Sequence, residues 1–191
     1  YKRQGGIGLN PLDAAIVAQS RGAHITPSPF LGTAVMAPTA LMASGGQYDD
    51  LLAEIAAGTH RVGIAFSEAI KRRNDAQVEA RDGTLFGKSL FAFDADADSY
   101  LVADQKQHLY LVAADDPGLT RTHLTTVDKT RRTVELTYDN AAAQSVSTDV
   151  RVFESVLDIG RVAIAADTMG AAQNMLDQAV EYAKQREQFN R

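Results

Sequence analysis

The residue types that most often bind metal ions are scattered along this sequence. Its four histidines show no ligand spacing and fall in different predicted elements, so a metal site built on imidazole is not indicated. They are His24, His60, His108 and His123. Asp94, Asp96 and Asp98 alternate and suggest calcium, but a calcium-binding helix–loop–helix also needs a glycine and a distal glutamate at fixed positions, which are absent here. The sequence therefore predicts no metal site.

Arginine offers a second kind of chemistry, the binding of phosphate. A guanidinium fork makes bidentate, charge-assisted contacts to phosphate oxygens, and Arg186 lies near the carboxyl end of the chain. An arginine near a helix end is more often a solvated charge, so the residue type alone leaves both roles open. In contrast, Asp128, Arg131 and Arg132 are expected to form a structural ion-pair cluster.

The composition excludes several classes of function. The formal net charge of −5 argues against nucleic-acid binding, because such a surface needs a basic excess to displace counterions. The absence of cysteine rules out disulfides, cysteine-ligated zinc and a thiol nucleophile, and it fits a reducing cytoplasm. No apolar run reaches the length needed to span a bilayer, and the start YKRQGG has no signal-peptide core. We therefore expect a cytoplasmic protein without a membrane span.

The elements that would position these side chains begin with a helical zone, residues 1–60. The pair Asn10-Pro11 predicts a helix start, since asparagine caps well and proline suits the first helical position. A second helix is expected over residues 28–46, with a kink at Pro38, and a third over about 48–57.

Residues 61–147 change to the period of β-strands. The pair Asp82-Gly83 predicts a hairpin turn between two strands. Val134, Leu136 and Tyr138 alternate on one face of another strand. A series of short strands with turns between them favours an antiparallel barrel or sandwich.

Residues 148–191 are predicted to form one long helix from about Val150 to the end, which is typical of a bundle or a subunit interface. The three zones together predict an α+β protein: a helical segment, an antiparallel β-barrel or sandwich middle domain, and a long helix of a C-terminal four-helix bundle. The chain starts with Tyr1 and stops at Arg191 without a helix cap, so we expect it to be part of a longer protein.

Five segments resemble, in the same order, motifs of the acyl-CoA dehydrogenase family. The closing stretch YAKQREQFNR resembles Y-A-x-x-R-x-Q-F-G-R/K, and the helix GRVAIAADTMGAAQNMLDQAVEYA precedes it. The upstream segments are NPLDAAIVAQSRGAHITPSPFLGTAVMAPTAL, LLAEIAAGTHRVGIAFSE, GKSLFAFDADADSYLVAD and VDKTRRTVELTYDNA. The resemblance covers nearly the whole chain, and the shared order makes moderately specific motifs strong together.

The resemblance implies an FAD enzyme that dehydrogenates an acyl-CoA between Cα and Cβ. In that family a carboxylate removes the α-proton of the thioester, and the β-hydrogen leaves as hydride to flavin N5. An electron-transferring flavoprotein then reoxidises the flavin. The resemblance further implies a homo- or hetero-tetramer and a place in lipid metabolism, in β-oxidation.

The resemblance also assigns cofactor-binding residues. The family's arginine that matches Arg186 reaches the FAD pyrophosphate of a neighbouring subunit, aided by the residues that match Gln188 and Phe189. Ser67 matches the hydroxyl residue of the family's T/S-E-P stretch, which contacts the flavin ring, and Phe66 lies beside it. A backbone-bonded hydroxyl and a core aromatic are the competing interpretations of these two residues.

The pair Phe91 and Phe93 matches the family's W-I-T or F-V-x position. Phe91 keeps the aromatic residue that packs on the flavin in the family. Phe93 stands where the family often has the residue that hydrogen-bonds N5, so that side-chain contact is absent here. For both phenylalanines, packing in an apolar core is the competing interpretation.

The sequence departs from the family after Glu68. The family continues P-x-A-G-S-D, a loop that approaches the acyl-CoA and the cofactor, whereas this chain reads AIKRRNDAQVEARDG. Lys71, Arg72 and Arg73 either contact CoA phosphates or form a solvated basic loop. The missing loop predicts a divergent or weakened flavin site.

A second departure concerns the catalytic base. Most family members carry it as a glutamate beyond the end of this chain, and a minority place it where this chain has Gly160. Glycine cannot accept a proton, and neither Glu154 nor Asp158 occupies that position, so no catalytic residue is predicted within these residues.

Three functions are compatible with these features. The first is an FAD-dependent acyl-CoA dehydrogenase that yields a trans-2-enoyl-CoA, present here as a fragment without the catalytic glutamate. The second is a non-catalytic partner subunit of a hetero-oligomeric acyl-CoA dehydrogenase, which completes a neighbour's FAD site. The third, weaker option is an acyl-CoA oxidase.

Overall fold

A computed structural model describes residues 8, 10–71, 73, 76–128 and 130–188. They form two compact units, of which the first includes Pro27–Gly160 and the second includes residues 10–26 and 161–188. The expected mixture of helices and a sheet, ending in a long helix, is confirmed. The domain boundaries at residues 60 and 147 remain a prediction.

The helices are α1 (Pro11–Ala23), α2 (Ala37–Met42), α3 (Asp49–Ala57), α4 (Ser67–Ile70) and α5 (Val150–Gln185), and a π-helix covers Phe30–Met36. The strands are β1 (Val62–Ala65), β2 (Val78–Arg81), β3 (Thr84–Phe93), β4 (Ser99–Ala103), β5 (Leu109–Ala113), β6 (Leu119–His123), β7 (Thr133–Ala142) and β8 (Gln144–Ser147). Within the described part of the chain, no helix combines the length and the apolar character needed to cross a membrane.

In the second unit, α1 starts at a capping box. The Asn10 side chain accepts hydrogen bonds from the Leu12 and Asp13 backbone N–H groups at 2.8 and 3.2 Å, and the Asp13 carboxylate accepts from the Asn10 N–H at 2.8 Å. Each of these bonds satisfies a backbone donor that the helix leaves without a partner. The predicted helix start at Asn10-Pro11 is confirmed.

Two glycines bring the backbones of α1 and of residues 161–185 of α5 together in this unit. A Cβ atom at Gly22 would overlap the Asp167 carbonyl, and a Cβ atom at Gly170 would overlap the Gln19 carbonyl. Both glycines are buried. The packing of the two helices therefore depends on the missing side chains.

In the first unit, the predicted kinked helix over residues 28–46 is two pieces. The π-helix Phe30–Met36 leads directly into α2, and Pro38 lies in the first turn of α2. Proline has no N–H to donate, and the first turn of an α-helix does not need that donor. Near Pro38, where the sequence predicts a kink, the chain thus changes from a π-helix to an α-helix.

The strands form one sheet with the order β6-β7-β3-β1-β4-β5-β8, and β2 pairs with β3. The predicted hairpin between β2 and β3 is confirmed: Asp82 and Gly83 both have positive φ, 47° and 81°, as its tight turn requires. Val134, Leu136 and Tyr138 of β7 are all buried, as their alternation predicts.

One pair of strands differs from the expected antiparallel arrangement. β1 runs parallel to β4, with Val62 opposite Ser99, while its other neighbour, β3, is antiparallel. A parallel neighbour needs a crossover connection, here the segment with α4, β2 and β3. Turn signals in the sequence report only hairpins, so they could not predict this pair.

The long helix α5 ends earlier than predicted, at Gln185. Its amino-terminal part packs in the first unit, where the Phe153 and Val156 side chains are buried. Residues 186–188 follow it without helical structure. The predicted continuation to Arg191 is therefore wrong for residues 186–188, and residues 189–191 lie outside the described part of the chain.

Candidate functional site

A β-bulge near the end of β3 is the centre of the site. Ser89 lies opposite Leu136 of β7, and Ala92 lies opposite Val134, so three steps along β3 match two along β7. The extra residue falls at Leu90 or Phe91. Bulges of this kind bend a strand and redirect side chains, and they occur often beside active sites.

The buried carboxylate of Glu68 in α4 stabilises the bulge. Its Oε1 atom accepts a hydrogen bond from the Leu90 backbone N–H at 3.0 Å, and its Oε2 atom accepts one from the Ser67 hydroxyl at 2.7 Å. Glu68 is only 4% exposed, so these bonds replace those that water would make. Ser67 and the strand β3 are thereby tied to one side chain.

Two aromatic rings are exposed at the bulged end of β3. Phe91 is 47% exposed and Phe93 is 37% exposed, while Ala92 between them is fully buried. The Phe93 backbone pairs with Ile64 of β1, which holds this end of β3 in the sheet. We call Phe91 and Phe93 the aromatic face. Core packing does not account for these two rings.

Arg73 lies against the aromatic face. The centre of its guanidinium is 5.4 Å from the centroid of the Phe91 ring, and its Nη1 atom is 3.5 Å from Glu68 Oε1. The first distance is typical of a cation–π contact. The Arg73 side chain is one-third exposed. A partly buried cation therefore borders the exposed ring of Phe91.

Ser89 and Tyr138 form a buried polar pair beside the bulge. Ser89 Oγ and Tyr138 Oη are 3.2 Å apart, and both residues are almost completely buried. Burial raises the pKa of the Tyr138 hydroxyl far above its ordinary value. The pair is thus neutral and satisfied, and it supports the strand without reaching the aromatic face.

The predicted site residues of the first unit divide into two groups. Ser67, Phe91 and Phe93 lie around Glu68 and the bulge. Phe66 is buried, and its ring packs 5.3 Å from the ring of Phe153. Its position matches the competing interpretation, that of a core aromatic.

The predicted phosphate-binding residues belong to the second unit. Arg186 follows α5 directly, its backbone N–H donates to the Tyr182 carbonyl at 2.9 Å, and its guanidinium lies 5.3 Å from the Tyr182 ring. Gln188 is exposed. Phe189 lies outside the described residues. The Arg186 side chain is exposed.

The position of the family's alternative base is closed by packing. A Cβ atom at Gly160 would lie 2.9 Å from Met36 Sδ, so the Met36 side chain fills the space in front of this glycine. Glu154 and Asp158, on the same helix, are exposed. A carboxylate could therefore replace Gly160 only if Met36 moved.

The alternating aspartates contribute to a separate, mixed-charge cleft of about 320 Å³, with Asp94, Asp96 and Arg132 among its walls. Arg132 forms an ion pair with Asp96, while Asp128 accepts hydrogen bonds from Thr130. In the expected cluster of Asp128, Arg131 and Arg132, the pKa of the Asp128 carboxyl is lowered first by the Thr130 hydrogen bonds and then by the Arg131 charge, whereas Arg132 pairs with Asp96. Among the described residues, no group of three or more His, Cys, Asp or Glu could hold a metal ion.

Sequence reasoning assigned no role to Glu68, and it indicated Arg73 only as one of three neighbouring basic residues, without its contact with Phe91. Glu68 lies in the first turn of α4, shortly after the apolar run of β1, and an acidic residue in such a place is a signal for a buried, hydrogen-bonded carboxylate. The contact of Arg73 with Phe91 joins residues far apart in sequence. No local sequence pattern predicts this contact.

Comparisons with known proteins point to one family. Residues 150–191 match the family description "Acyl-CoA dehydrogenase, C-terminal domain". The chain is 32% identical over 194 aligned positions to the Mycobacterium tuberculosis protein "Acyl-CoA dehydrogenase IpdE2", covering 98% of this chain and 49% of that protein. A stretch of 35 residues is 49% identical to "Caffeyl-CoA reductase-Etf complex subunit CarC" of Acetobacterium woodii, covering 18% of this chain and 9% of that protein.

A solved structure agrees. A variant of the "Tcur3481-Tcur3483 steroid ACAD" superposes with a TM-score of 0.86 at 27% identity, covering 100% of this chain and 55% of that chain. The chain spans about half the length of the curated relatives that it matches along almost all of its residues.

Proposed function

Because the chain belongs to the acyl-CoA dehydrogenase family, we propose that it carries the flavin-facing surface of an FAD-dependent oxidoreductase that dehydrogenates an acyl-CoA between Cα and Cβ. The product is a trans-2-enoyl-CoA. The observation that carries the proposal is the aromatic face: two exposed rings, on a bulged strand held by a buried carboxylate, at the position where the family packs its flavin.

The described residues fit FAD in their chemistry. Phe91 and Phe93 offer apolar surface to a flat ring system, and aromatic rings gain from stacking as well as from burial. Ser67 donates its hydroxyl proton to Glu68, so its oxygen presents lone pairs and acts towards a ligand as an acceptor. Arg186 offers donors suited to a pyrophosphate.

In this proposal each residue has a defined task. FAD, when bound, supplies the acceptor for the hydride that leaves Cβ. Phe91 and Phe93 exclude water from one side of the cofactor, and Glu68 fixes the strand that carries them. Ser67 fixes one edge of the ring system. Gln188 and Phe189 are assigned, with Arg186, to the FAD pyrophosphate of a neighbouring subunit.

The proposal assigns removal of the α-proton to a carboxylate outside these 191 residues. Gly160 cannot accept a proton and is covered by Met36. A general base must come within hydrogen-bond reach of the proton that it removes. The chain spans about half of its relatives, which leaves room elsewhere in a whole protein or a partner for this group.

The wider setting is also part of the proposal. An electron-transferring flavoprotein is the proposed electron acceptor, supported by the short match to a subunit of an Etf complex. A homo- or hetero-tetramer, a role in β-oxidation and a cytoplasmic location follow from the family and from the cysteine-free composition.

A second candidate function is that of a non-catalytic partner subunit that completes a neighbour's FAD site. Two observations favour it: Gly160 is unable to act as a base, and the name of the solved relative joins two designations, Tcur3481 and Tcur3483. In this case Arg186 serves the cofactor of the partner, and the aromatic face contributes packing alone.

Flavin content and its reduction test both candidates. The protein is purified alone and after co-expression with a paralogous chain, and each preparation is treated anaerobically with octanoyl-CoA while the flavin absorbance is recorded. A yellow protein that bleaches when purified alone supports the dehydrogenase. Flavin and bleaching only in the co-expressed sample support the partner subunit. Preparations that are colourless and cannot be reconstituted with FAD contradict both.

A further inference from the structure

Arg73 has hydrogen-bonding capacity that its described neighbours do not use. A guanidinium has five N–H donors. In Arg73, only Nη1 has a described partner, and its distance of 3.5 Å from Glu68 Oε1 is at the limit of a hydrogen bond. The same carboxylate already receives the Leu90 N–H at 3.0 Å and the Ser67 hydroxyl at 2.7 Å. Glu68 therefore holds Arg73 in place, but among the described residues most N–H donors of Arg73 have no acceptor.

A second arginine, Arg81 of β2, shows a shorter ion pair for comparison. Arg81 lies 5.2 Å from the Phe86 ring, in a contact like that of Arg73 with Phe91. Its Nη2 atom, however, donates to Glu79 Oε2 at 2.6 Å, and this bond lowers the pKa of the Glu79 carboxyl. Glu79 has no other described side-chain bond to share. The ion pair of Arg81 is thus short, at 2.6 Å, while that of Arg73 is long, at 3.5 Å.

Arg73 is also partly withdrawn from water. Its side chain is 33% exposed, against 59% for Arg81, so part of its hydration is already lost. It borders the exposed ring of Phe91, where the proposed function places a cofactor. A partly desolvated guanidinium with unused donors gains most from an oxyanion that it can grip with two N–H groups.

We propose that Arg73 binds a phosphate group of the ligand received at the aromatic face, either a phosphate of the flavin cofactor or one of the acyl-CoA. The inference rests on the proposed function. It also gives a role to the segment that replaces the family's P-x-A-G-S-D loop. In this segment the cation Arg73 stands at the position of the neutral serine.

The experiment compares ligands with and without phosphate. Dissociation constants of FAD, riboflavin, CoA and pantetheine are measured by calorimetry with flavin-free wild-type protein and with the variants Arg73→Gln, Arg73→Lys and Arg81→Gln. Arg81→Gln is the matched control, since it also removes an arginine that lies on a phenylalanine ring of β3. Urea unfolding of each variant separates a loss of binding from a loss of folding.

Each source of phosphate gives its own result. If the flavin phosphate is bound, Arg73→Gln weakens FAD binding about 10- to 100-fold and leaves riboflavin unchanged. If the CoA phosphate is bound, CoA weakens by the same factor and pantetheine does not. Arg73→Lys, which keeps the charge and loses the fork, should lie between wild type and Arg73→Gln. Wild-type affinity for the affected ligand should also fall as salt is added.

Two results would overturn the inference. Equal affinities of wild type and Arg73→Gln for FAD and for CoA exclude a phosphate contact while leaving the proposed function intact. Equal losses for a phosphate-bearing ligand and its phosphate-free counterpart show that Arg73 shapes the face without binding phosphate. A folded wild-type protein that binds neither FAD nor CoA contradicts the proposed function itself, and the inference fails with it.

Discussion

Glu68 Oε1 accepts the backbone N–H of Leu90 at 3.0 Å, at the point where β3 carries one residue more than β7. A bulge leaves a backbone group outside the ladder, and a buried group of this kind needs a partner. The carboxylate supplies that partner from a different element, α4. The position of Phe91 on β3 therefore depends on α4, the short helix that follows β1.

Replacing Glu68 should destabilise the first unit. Glu68→Ala leaves the Leu90 N–H without an acceptor, which costs about 1–3 kcal/mol of unfolding free energy. Glu68→Gln retains an oxygen for Leu90 and should lose less. Urea unfolding measures both changes. Glu154→Ala, at an exposed acidic position, is the control and should stay within about 0.5 kcal/mol of wild type. A neutral Glu68→Ala would show that the bulge forms without the carboxylate.

The aromatic face should matter for cofactor content more than for stability. Phe91→Ala removes a half-exposed ring, so its unfolding midpoint should change little, while the ratio of bound FAD to protein should fall. Absorbance of the released flavin gives that ratio. Phe86→Ala, which truncates another phenylalanine of β3, is the matched control and should keep its flavin. Unchanged flavin in both Phe91→Ala and Phe93→Ala would remove the main support for the proposed function.

The glycines of α5 should differ in their tolerance of a methyl group. In Gly170→Ala the new Cβ meets the backbone of Gln19, which cannot move aside, and overpacking of this kind costs about 1–3 kcal/mol. In Gly160→Ala it meets the flexible Met36 side chain, and the better helix propensity of alanine returns about 1 kcal/mol.

Amide hydrogen exchange in α1 measures the Gly170→Ala effect, because the contact joins α1 to α5 within the second unit. Exchange should accelerate in Gly170→Ala and remain close to wild type in Gly160→Ala. Equal rates in the two variants would contradict the close approach at Gly170.

The buried hydroxyl of Tyr138 should make stability depend on pH in the alkaline range. Burial raises its pKa in the folded state above the unfolded value of about 10. Below that value both states keep the proton. As the pH rises above it, the unfolded state releases its proton first, so the free energy of unfolding falls.

Tyr138→Phe should reduce this alkaline loss, measured as unfolding free energy against pH from neutral to alkaline solution. It should not abolish the loss, since burial also raises the pKa of Tyr100. Tyr182→Phe, at an exposed position, should retain the wild-type dependence. At neutral pH, Tyr138→Phe leaves Ser89 without its partner, and the double variant with Ser89→Ala should recover part of that loss. An unchanged alkaline slope in Tyr138→Phe would contradict the assignment.

Features that depend on neighbouring residues could be predicted from the sequence. The capping box at Asn10, the turn at Asp82-Gly83 and the buried alternation of Val134, Leu136 and Tyr138 all follow from local chemistry or from period. The strand β8 was not predicted, because Gln144–Ser147 is short and mostly polar, and its place is set by pairing with β5.

The site divides in the same way. Ser67, Phe91 and Phe93 could be named because they lie in recognisable motifs, but their common support could not. The bond between Glu68 and Leu90 joins residues 22 positions apart, and the bulge breaks the strict alternation from which a strand is recognised. The burial of Phe66 against Phe153 depends on a helix that follows the whole sheet.

The parallel pairing of β1 with β4 also has a consequence for how the chain folds. β1 lies between β3 and β4, so neither of its neighbours is the next strand along the chain. Val62 can pair with Ser99 only after the chain between them has closed into a loop. Closing such a long loop costs conformational entropy before the contacts that it permits can stabilise the chain. Topologies with many long-range pairings therefore fold slowly. The hairpin of β2 and β3 can form early, whereas the strand that holds Phe93 in register arrives late. Until then the two rings of the aromatic face lack the support of β1.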